Sequence, residues 1–165
     1  PGGVIMIRKL FIYGTLAVLL LGTLALGENA KASEADETNS KMNESDYLNF
    51  SSSIWRLYRD DLNYSSYILD KFSRKNMSAD EALVATMSLF QLNYQTTNIA
   101  GRINPPTEYA DYHSYMIQSL SMFRSYLIGM AKYYETNDRI FAANAKEYFD
   151  KSIEYNEKAI EARML

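Results

Sequence analysis

The chain has 165 residues, of which 47% are hydrophobic and 22% charged, and it contains no cysteine. This composition indicates a globular protein, and the lack of cysteine excludes disulfides, cysteine-ligated zinc and iron–sulfur clusters. The formal net charge is −3, and no block of basic residues favours a nucleic-acid partner.

The N-terminal segment has the pattern of a secretory signal. Arg8 and Lys9 precede an uncharged run over residues 10–26, and small-residue cleavage patterns follow at 25–27 and 30–32. The run has about 17 residues, which is also near the minimum for a helix that spans a bilayer. We therefore assign residues 1–32 to a signal peptide or an N-terminal membrane anchor.

Both alternatives place the rest of the chain outside the cytoplasm, since basic residues stay on the cytoplasmic side. We expect a secreted, periplasmic or cell-surface protein, with membrane contact only through an uncleaved N-terminal segment. Residues 1–5 precede Met6, and Gly-Gly-Val codons can spell a purine-rich ribosome-binding site. This suggests a prokaryotic gene whose translation starts at Met6.

Residues 28–44 are polar and acidic, and Met42 is the only large apolar residue among them. Such composition is typical of a flexible spacer. We assign residues 33–45 to a linker and residues 46–165 to a helical domain.

The first helix is predicted over residues 46–74, with Ser45 as its N-cap. Its expected apolar stripe contains Tyr47, Phe50, Ile54, Leu57, Asp61 or Leu62, Tyr64, Ile68 and Phe72, and it is widened by Leu48, Trp55, Tyr58 and Leu69 beside them. The second helix begins after Ser78, which forms a capping box with Glu81, and it ends at Gly101.

The third helix follows the breaker Asn104-Pro105-Pro106-Thr107. Its seam alternates spacings of three and four residues through His113, Met116, Leu120, Phe123, Leu127, Met130 and Tyr134. The sequence Thr136-Asn137-Asp138 closes this helix and caps a fourth over residues 138–163. The stripe of the fourth is expected at Phe141, Ala145, Tyr148 or Phe149, Ile153, Asn156 and Ile160.

Four long helices with short loops predict an all-α fold, an antiparallel up-down four-helix bundle. Seam spacings that average about 3.5 residues favour left-handed packing of the coiled-coil type. A three-helix arrangement with one helix swapped into a homodimer is the alternative.

His113 is the only histidine, and Asp61 interrupts the apolar stripe of the first helix. A buried carboxylate with a raised pKa could bind a cation or contact His113, although the stripe can also pass through Leu62 and leave Asp61 at the boundary. A metal site is not expected, because the carboxylate–histidine spacing of di-iron bundles is absent: Ala110 lies three residues before His113.

Tyrosines are concentrated in the third helix, where Tyr109 and Tyr112 lie close to His113 in sequence. They could form a ligand-binding or partner-binding surface, or they could fill the boundary between core and solvent. Four N-x-S/T triplets begin at Asn43, Asn49, Asn63 and Asn76, and they are candidate glycosylation sites in an exported protein.

No nucleophile elbow, phosphate-binding glycine loop or dinucleotide fingerprint occurs in the sequence, and no cofactor is expected. The leading hypothesis is an exported, non-catalytic interaction or structural module that binds an unidentified protein. The alternative is a bundle that binds a small molecule between the first and third helices, near His113, Asp61 and the tyrosines. An enzyme ranks third.

Overall fold

The structure, a computed structural model, describes residues 41–164, and these residues form a helical bundle. Its helices are α1 (Glu44–Ser73), α2 (Ala79–Ala100), α3 (Ala110–Thr136) and α4 (Arg139–Arg163), and a 3-10 turn at Thr107–Tyr109 precedes α3. The all-α prediction is confirmed for this range. The predicted signal or anchor, and the linker up to residue 40, lie outside the described residues.

No helix within residues 41–164 combines the length and the apolar character needed to cross a membrane. This finding concerns the bundle helices and does not touch the segment predicted to be a signal or anchor.

Side-chain caps fix where the helices begin. The predicted capping box is confirmed: Ser78 Oγ accepts from the Glu81 backbone N–H at 3.2 Å, and Glu81 accepts from the Ser78 N–H at 2.8 Å. The predicted cap at Ser45 is wrong, because Asn43 accepts from the Asp46 backbone N–H at 2.9 Å and starts α1 two residues earlier. Asp138 caps α4 as predicted, through Ile140.

Helix α3 is the central element of the core. All seven residues of its predicted seam are buried, from His113 to Tyr134. The sequence predicted this seam correctly because large apolar side chains recur along it at regular spacings of three and four residues.

The predicted stripe of α1 is partly wrong. Leu57 and Tyr64 are each 46% exposed, whereas Tyr58 is buried. Ser51 and Ser65 are also buried, and their hydroxyls donate to backbone carbonyls of their own helix, so neither hydroxyl is left unpaired.

The predicted stripe of α4 is also partly wrong. Its buried residues are small and spaced seven apart, namely Ala145, Ser152 and Ala159, while Ile160 and Tyr148 are exposed. Small side chains let α4 approach α3 closely: a Cβ atom added to Gly129 would lie 2.8 Å from the Ala145 Cβ. Backbone proximity therefore decides which residues of α4 are buried.

Contacts along the helices give their relative directions. On α3 and α4, Ser119 meets Ser152 and Gly129 meets Ala145, so residue numbers rise on one helix as they fall on the other. Helix α3 packs most closely against α4 and next against α2, and α1 packs more closely against α2 than against α3 or α4. Two grooves open along the side of the bundle where α1 faces α4.

Candidate functional site

The three helices α1, α2 and α3 are joined by His113 near one end of the bundle. The Tyr47 hydroxyl lies 3.1 Å from His113 Nδ1, and the ring also hydrogen-bonds to the backbone of Ala100. Because a carbonyl oxygen only accepts, the ring nitrogen that faces Ala100 carries the hydrogen, and Nδ1 accepts from Tyr47. Burial lowers the pKa of His113 below 6.5, which favours this neutral form.

The two predicted tyrosines lie beside this junction. The Tyr112 hydroxyl accepts from Trp55 Nε1 at 2.8 Å, and the Tyr109 hydroxyl donates to Glu44 Oε1 at 2.8 Å. The Tyr112 ring stands edge-on to Tyr47, with centroids 6.2 Å apart. The polar atoms of His113 and both tyrosines thus have protein partners, so the cluster serves to join helices.

Asp61 is not part of this cluster. It lies fourteen residues beyond Tyr47 on α1, about 21 Å along the helix axis, and the hydrogen bonds of His113 go to Tyr47 and Ala100 instead. Asp61 is half-buried, and burial together with the charge of Asp60 raises its pKa to about 6. Leu62 is half-buried as well, so the stripe of α1 passes through both positions.

The four sequon asparagines are all exposed. Asn43 is occupied as the α1 N-cap, and its Nδ2 also lies 2.5 Å from an Asp46 carboxylate oxygen. Asn49 and Asn63 lie within α1, and Asn76 lies in the loop before α2.

A buried polar network joins α1 to α4 at mid-height. Ser119 and Ser152 each donate to the other's backbone carbonyl, at 2.9 and 2.8 Å. With its hydrogen used in this way, Ser152 Oγ accepts from the Tyr58 hydroxyl at 2.6 Å. The side chain of Tyr58 therefore reaches from α1 to Ser152 of α4 and joins the two helices.

One groove opens between α1 and α4 on the side of Tyr58 that faces Trp55. Its volume is about 580 Å³, and its lining is mainly aromatic and aliphatic: Trp55, Tyr58, Leu62, Tyr112, Ile160 and Met164. Arg59, Asn156 and Arg163 complete the lining. This volume lies within the range of small-molecule sites.

A more polar recess adjoins it and shares Trp55, Arg59 and Arg163 with it. Arg56, Asn49, Ser52 and Ser53 line the rest of this recess. We call the two spaces together the Trp55 groove. It has an apolar floor at one end and three arginines at the other.

The arginines of the Trp55 groove lack acidic partners. Within residues 41–164, none of Arg56, Arg59 and Arg163 forms an ion pair with a carboxylate, whereas Arg74, Lys132, Lys146 and Lys158 do. Arg163 instead lies over the Tyr112 ring, 5.9 Å from its centroid. Their charges are therefore free to meet an anion.

A second groove lies between α1 and α4 beyond Tyr58. It has a volume of about 540 Å³, and its apolar lining includes Leu69, Tyr126, Met130, Ala142 and Phe149. We call it the Phe149 groove. Its charged lining residues are each engaged in an ion pair, Asp70 with Arg74, the C-cap of α1, and Lys146 with Asp150 of α4.

Sequence reasoning missed the Trp55 groove. It placed ligand binding between the first and third helices, whereas the open face lies between the first and fourth. The one available signal was Trp55, the single tryptophan of the chain, flanked by Arg56 and Arg59. Arg163 joins them only through the fold.

The described residues 41–164 hold no group of three His, Asp or Glu side chains placed to bind a metal ion. No family model, no curated protein and no solved structure matches the chain.

Proposed function

We propose that this protein is a non-catalytic binding module whose binding surface is the open face between α1 and α4. One observation carries the proposal: two grooves with apolar floors open between α1 and α4, on either side of the contact between Tyr58 and Ser152. Apolar surface left in concave form between two rigid helices is typical of a site for another molecule.

The chemistry of the Trp55 groove supports binding rather than catalysis. The described residues that line its apolar part include arginines, tyrosines and an asparagine but no carboxylate or imidazole that could act as a general base. His113, the only histidine of the chain, is buried, and its Nδ1 is hydrogen-bonded to the Tyr47 hydroxyl. A role in joining helices accounts for it.

We further propose that the module works outside the cytoplasm, secreted, periplasmic or held at the cell surface by an N-terminal anchor. The support is the basic pair Arg8 and Lys9 ahead of the apolar run 10–26.

We also propose the up-down order for the four helices. It is supported by the contact of α3 with α4, and by Tyr94 of α2 beneath Arg124 of α3.

We propose a small-molecule site as well, but at a place on the bundle different from the one that the sequence suggested. The sequence-based hypothesis placed a ligand near His113 and Asp61, but the first is fully paired and the second lies elsewhere on α1. The Trp55 groove offers apolar floor and unpaired charge together, so we propose it as the ligand site and keep protein partners as the competing occupant.

Native mass spectrometry of the protein recovered from its own cells tests this function. We expect a retained mass on the wild-type protein and on Ile140→Gln, an exposed residue of α4 away from both grooves. Ile160→Gln, an equally exposed residue that lines the Trp55 groove, should lose it. A bare wild-type protein, or a mass that Ile160→Gln retains unchanged, would count against the proposal.

A further inference from the structure

Three arginines from two distant parts of the chain meet at one end of the Trp55 groove. Arg56 and Arg59 lie one turn apart on α1, and Arg163 comes from the last turn of α4. The chain as a whole is acidic, with 20 acidic and 17 basic residues. The positive charge is therefore a local property of this groove, and its natural complement is a ligand anion.

The apolar floor of the Trp55 groove, next to the arginines, suits a hydrocarbon part of the same ligand. Leu62, Ile160 and Met164 are aliphatic, and Ile160 remains 51% exposed. Trp55 has already donated its indole N–H to Tyr112, so its ring offers the groove an apolar surface and no free donor. A ligand that fills this part gains from burying hydrocarbon, not from hydrogen bonds.

We propose that the Trp55 groove binds a free single-chain amphipathic anion, with its carboxylate or phosphate head on the arginines and its tail over Trp55, Leu62 and Ile160. This inference rests on the proposed function and specifies its ligand. The aliphatic floor suits one hydrocarbon tail and the three arginines suit one anionic head, which together are the parts of a free single-chain amphiphile.

The position of Trp55 makes the inference directly measurable. It is the only tryptophan of the chain, and it lines both parts of the groove. A fatty acid that carries bromine on its tail quenches indole fluorescence only at short range. Quenching therefore reports occupancy of this groove and not binding elsewhere on the protein.

The experiment titrates the full-length protein with brominated fatty acid, below its critical micelle concentration, and displaces it with dodecanoate, dodecyl phosphate, dodecanol or dodecyltrimethylammonium. We expect saturable quenching, and displacement by the two anions only. Arg59→Gln and Arg163→Gln should each weaken binding about tenfold, the effect of one lost charge-assisted contact. Arg139→Gln makes the same charge change at the other end of α4 and should leave binding unchanged.

Each contrary result has a distinct meaning. If dodecanol or dodecyltrimethylammonium displaces the fatty acid as well as the anions do, or if the arginine variants bind like wild type, the inference that the ligand is an anion is wrong. Loss of binding in Ile160→Gln would then still support the proposal that the groove binds a ligand. Absence of quenching overturns the inference outright, as does Trp55 responding only to anionic vesicles or to an acidic helical peptide. In these cases the retained mass in the native experiment decides the proposed function separately. Circular dichroism of every variant shows that folding is intact.

Discussion

The position of Asp61 in the core stripe of α1 leads to a prediction on stability. Tyr47, Ile54 and Ile68 are buried at intervals of seven or fourteen residues, and Asp61 occupies the matching position between them. Burial and the neighbouring charge of Asp60 raise its pKa from 3.8 to about 6. Replacing Asp61 by asparagine keeps the shape of the side chain and removes the charge.

The direction in which stability changes with pH follows from the protons that Asp61 binds in the folded and unfolded states. Between pH 3.8 and about 6 the folded state holds a proton on Asp61 that the unfolded state has lost, so stability decreases as pH rises through this window. Since one pKa unit corresponds to about 1.4 kcal/mol, the ionised carboxylate would cost about 3 kcal/mol at pH 8 without solvent screening. Because Asp61 is only half-buried, screening by solvent reduces this cost to about 1 to 2 kcal/mol. Asp61→Asn does not titrate, so we expect it to exceed wild type by about 1 to 2 kcal/mol at pH 8 and by close to nothing at pH 4.

Urea unfolding, followed by Trp55 fluorescence and circular dichroism at a series of pH values, measures this difference. Taking the variant minus wild type cancels the titration of all groups common to both proteins. Asp60→Asn, one residue away and exposed, is the matched control and should give a smaller pH-dependent difference. A difference between Asp61→Asn and wild type that stays constant from pH 4 to pH 8 would refute the reasoning.

Further predictions concern the helix junctions. Tyr47→Phe removes the donor to the buried His113 Nδ1, so we expect its free energy of unfolding in urea to be about 1 to 3 kcal/mol lower than that of wild type. The pKa of His113 is lowered in the folded state, so as pH drops below 6.5 the unfolded state takes up a proton first and the free energy of unfolding of the wild-type protein should decrease. This pH dependence should disappear in His113→Phe. Gly129→Ala should lower stability by about 1 to 2 kcal/mol through its clash with Ala145, and Ala145→Gly in the same chain should recover part of the loss, as a double-mutant cycle would show. Asn93 is fully buried and its amide has no hydrogen-bond partner within the described residues, so Asn93→Ala should raise the thermal midpoint, with a gain of about 1 kcal/mol; a lower midpoint would contradict this.

The sequence predicted those parts of the fold in which large apolar side chains mark the core. The α3 seam is the clearest case, since every residue from His113 to Tyr134 in that seam is both predicted and buried. The capping box at Ser78 was equally readable, because its two reciprocal hydrogen bonds depend only on residues three apart.

Prediction failed where burial depends on how closely two backbones approach. Hydrophobic periodicity selects large residues, and so it placed Ile160 in the core of α4 and passed over Ser152. In α1 it selected Tyr64 over its neighbour Ser65, because serine is less apolar by type, and it included Leu57 beside Tyr58 although only Tyr58 is buried. Hydroxyl groups are buried there at little cost, since each has a partner in its own helix or across the bundle.

The Trp55 groove could not be predicted for a different reason. Its arginines lie on α1 and at the end of α4, and their convergence depends on the spacing of two helices that are far apart in sequence. A lone arginine in an amphipathic helix is ordinarily part of the solvated face. Only the absence of acidic partners within the described residues, together with the apolar floor beside them, gives these arginines a functional interpretation.

The groove is itself a consequence of the small residues of α4. Ala145, Ser152 and Ala159 draw α4 onto α3, so the larger side chains of α4, such as Ile160, are directed beside that contact and toward α1. Tyr58 reaches across from α1 and hydrogen-bonds to Ser152 of α4. A contact within the protein therefore bridges the width between the two helices that line the Trp55 groove. A ligand that fits this width loses little free energy to rearrangement of the protein when it binds.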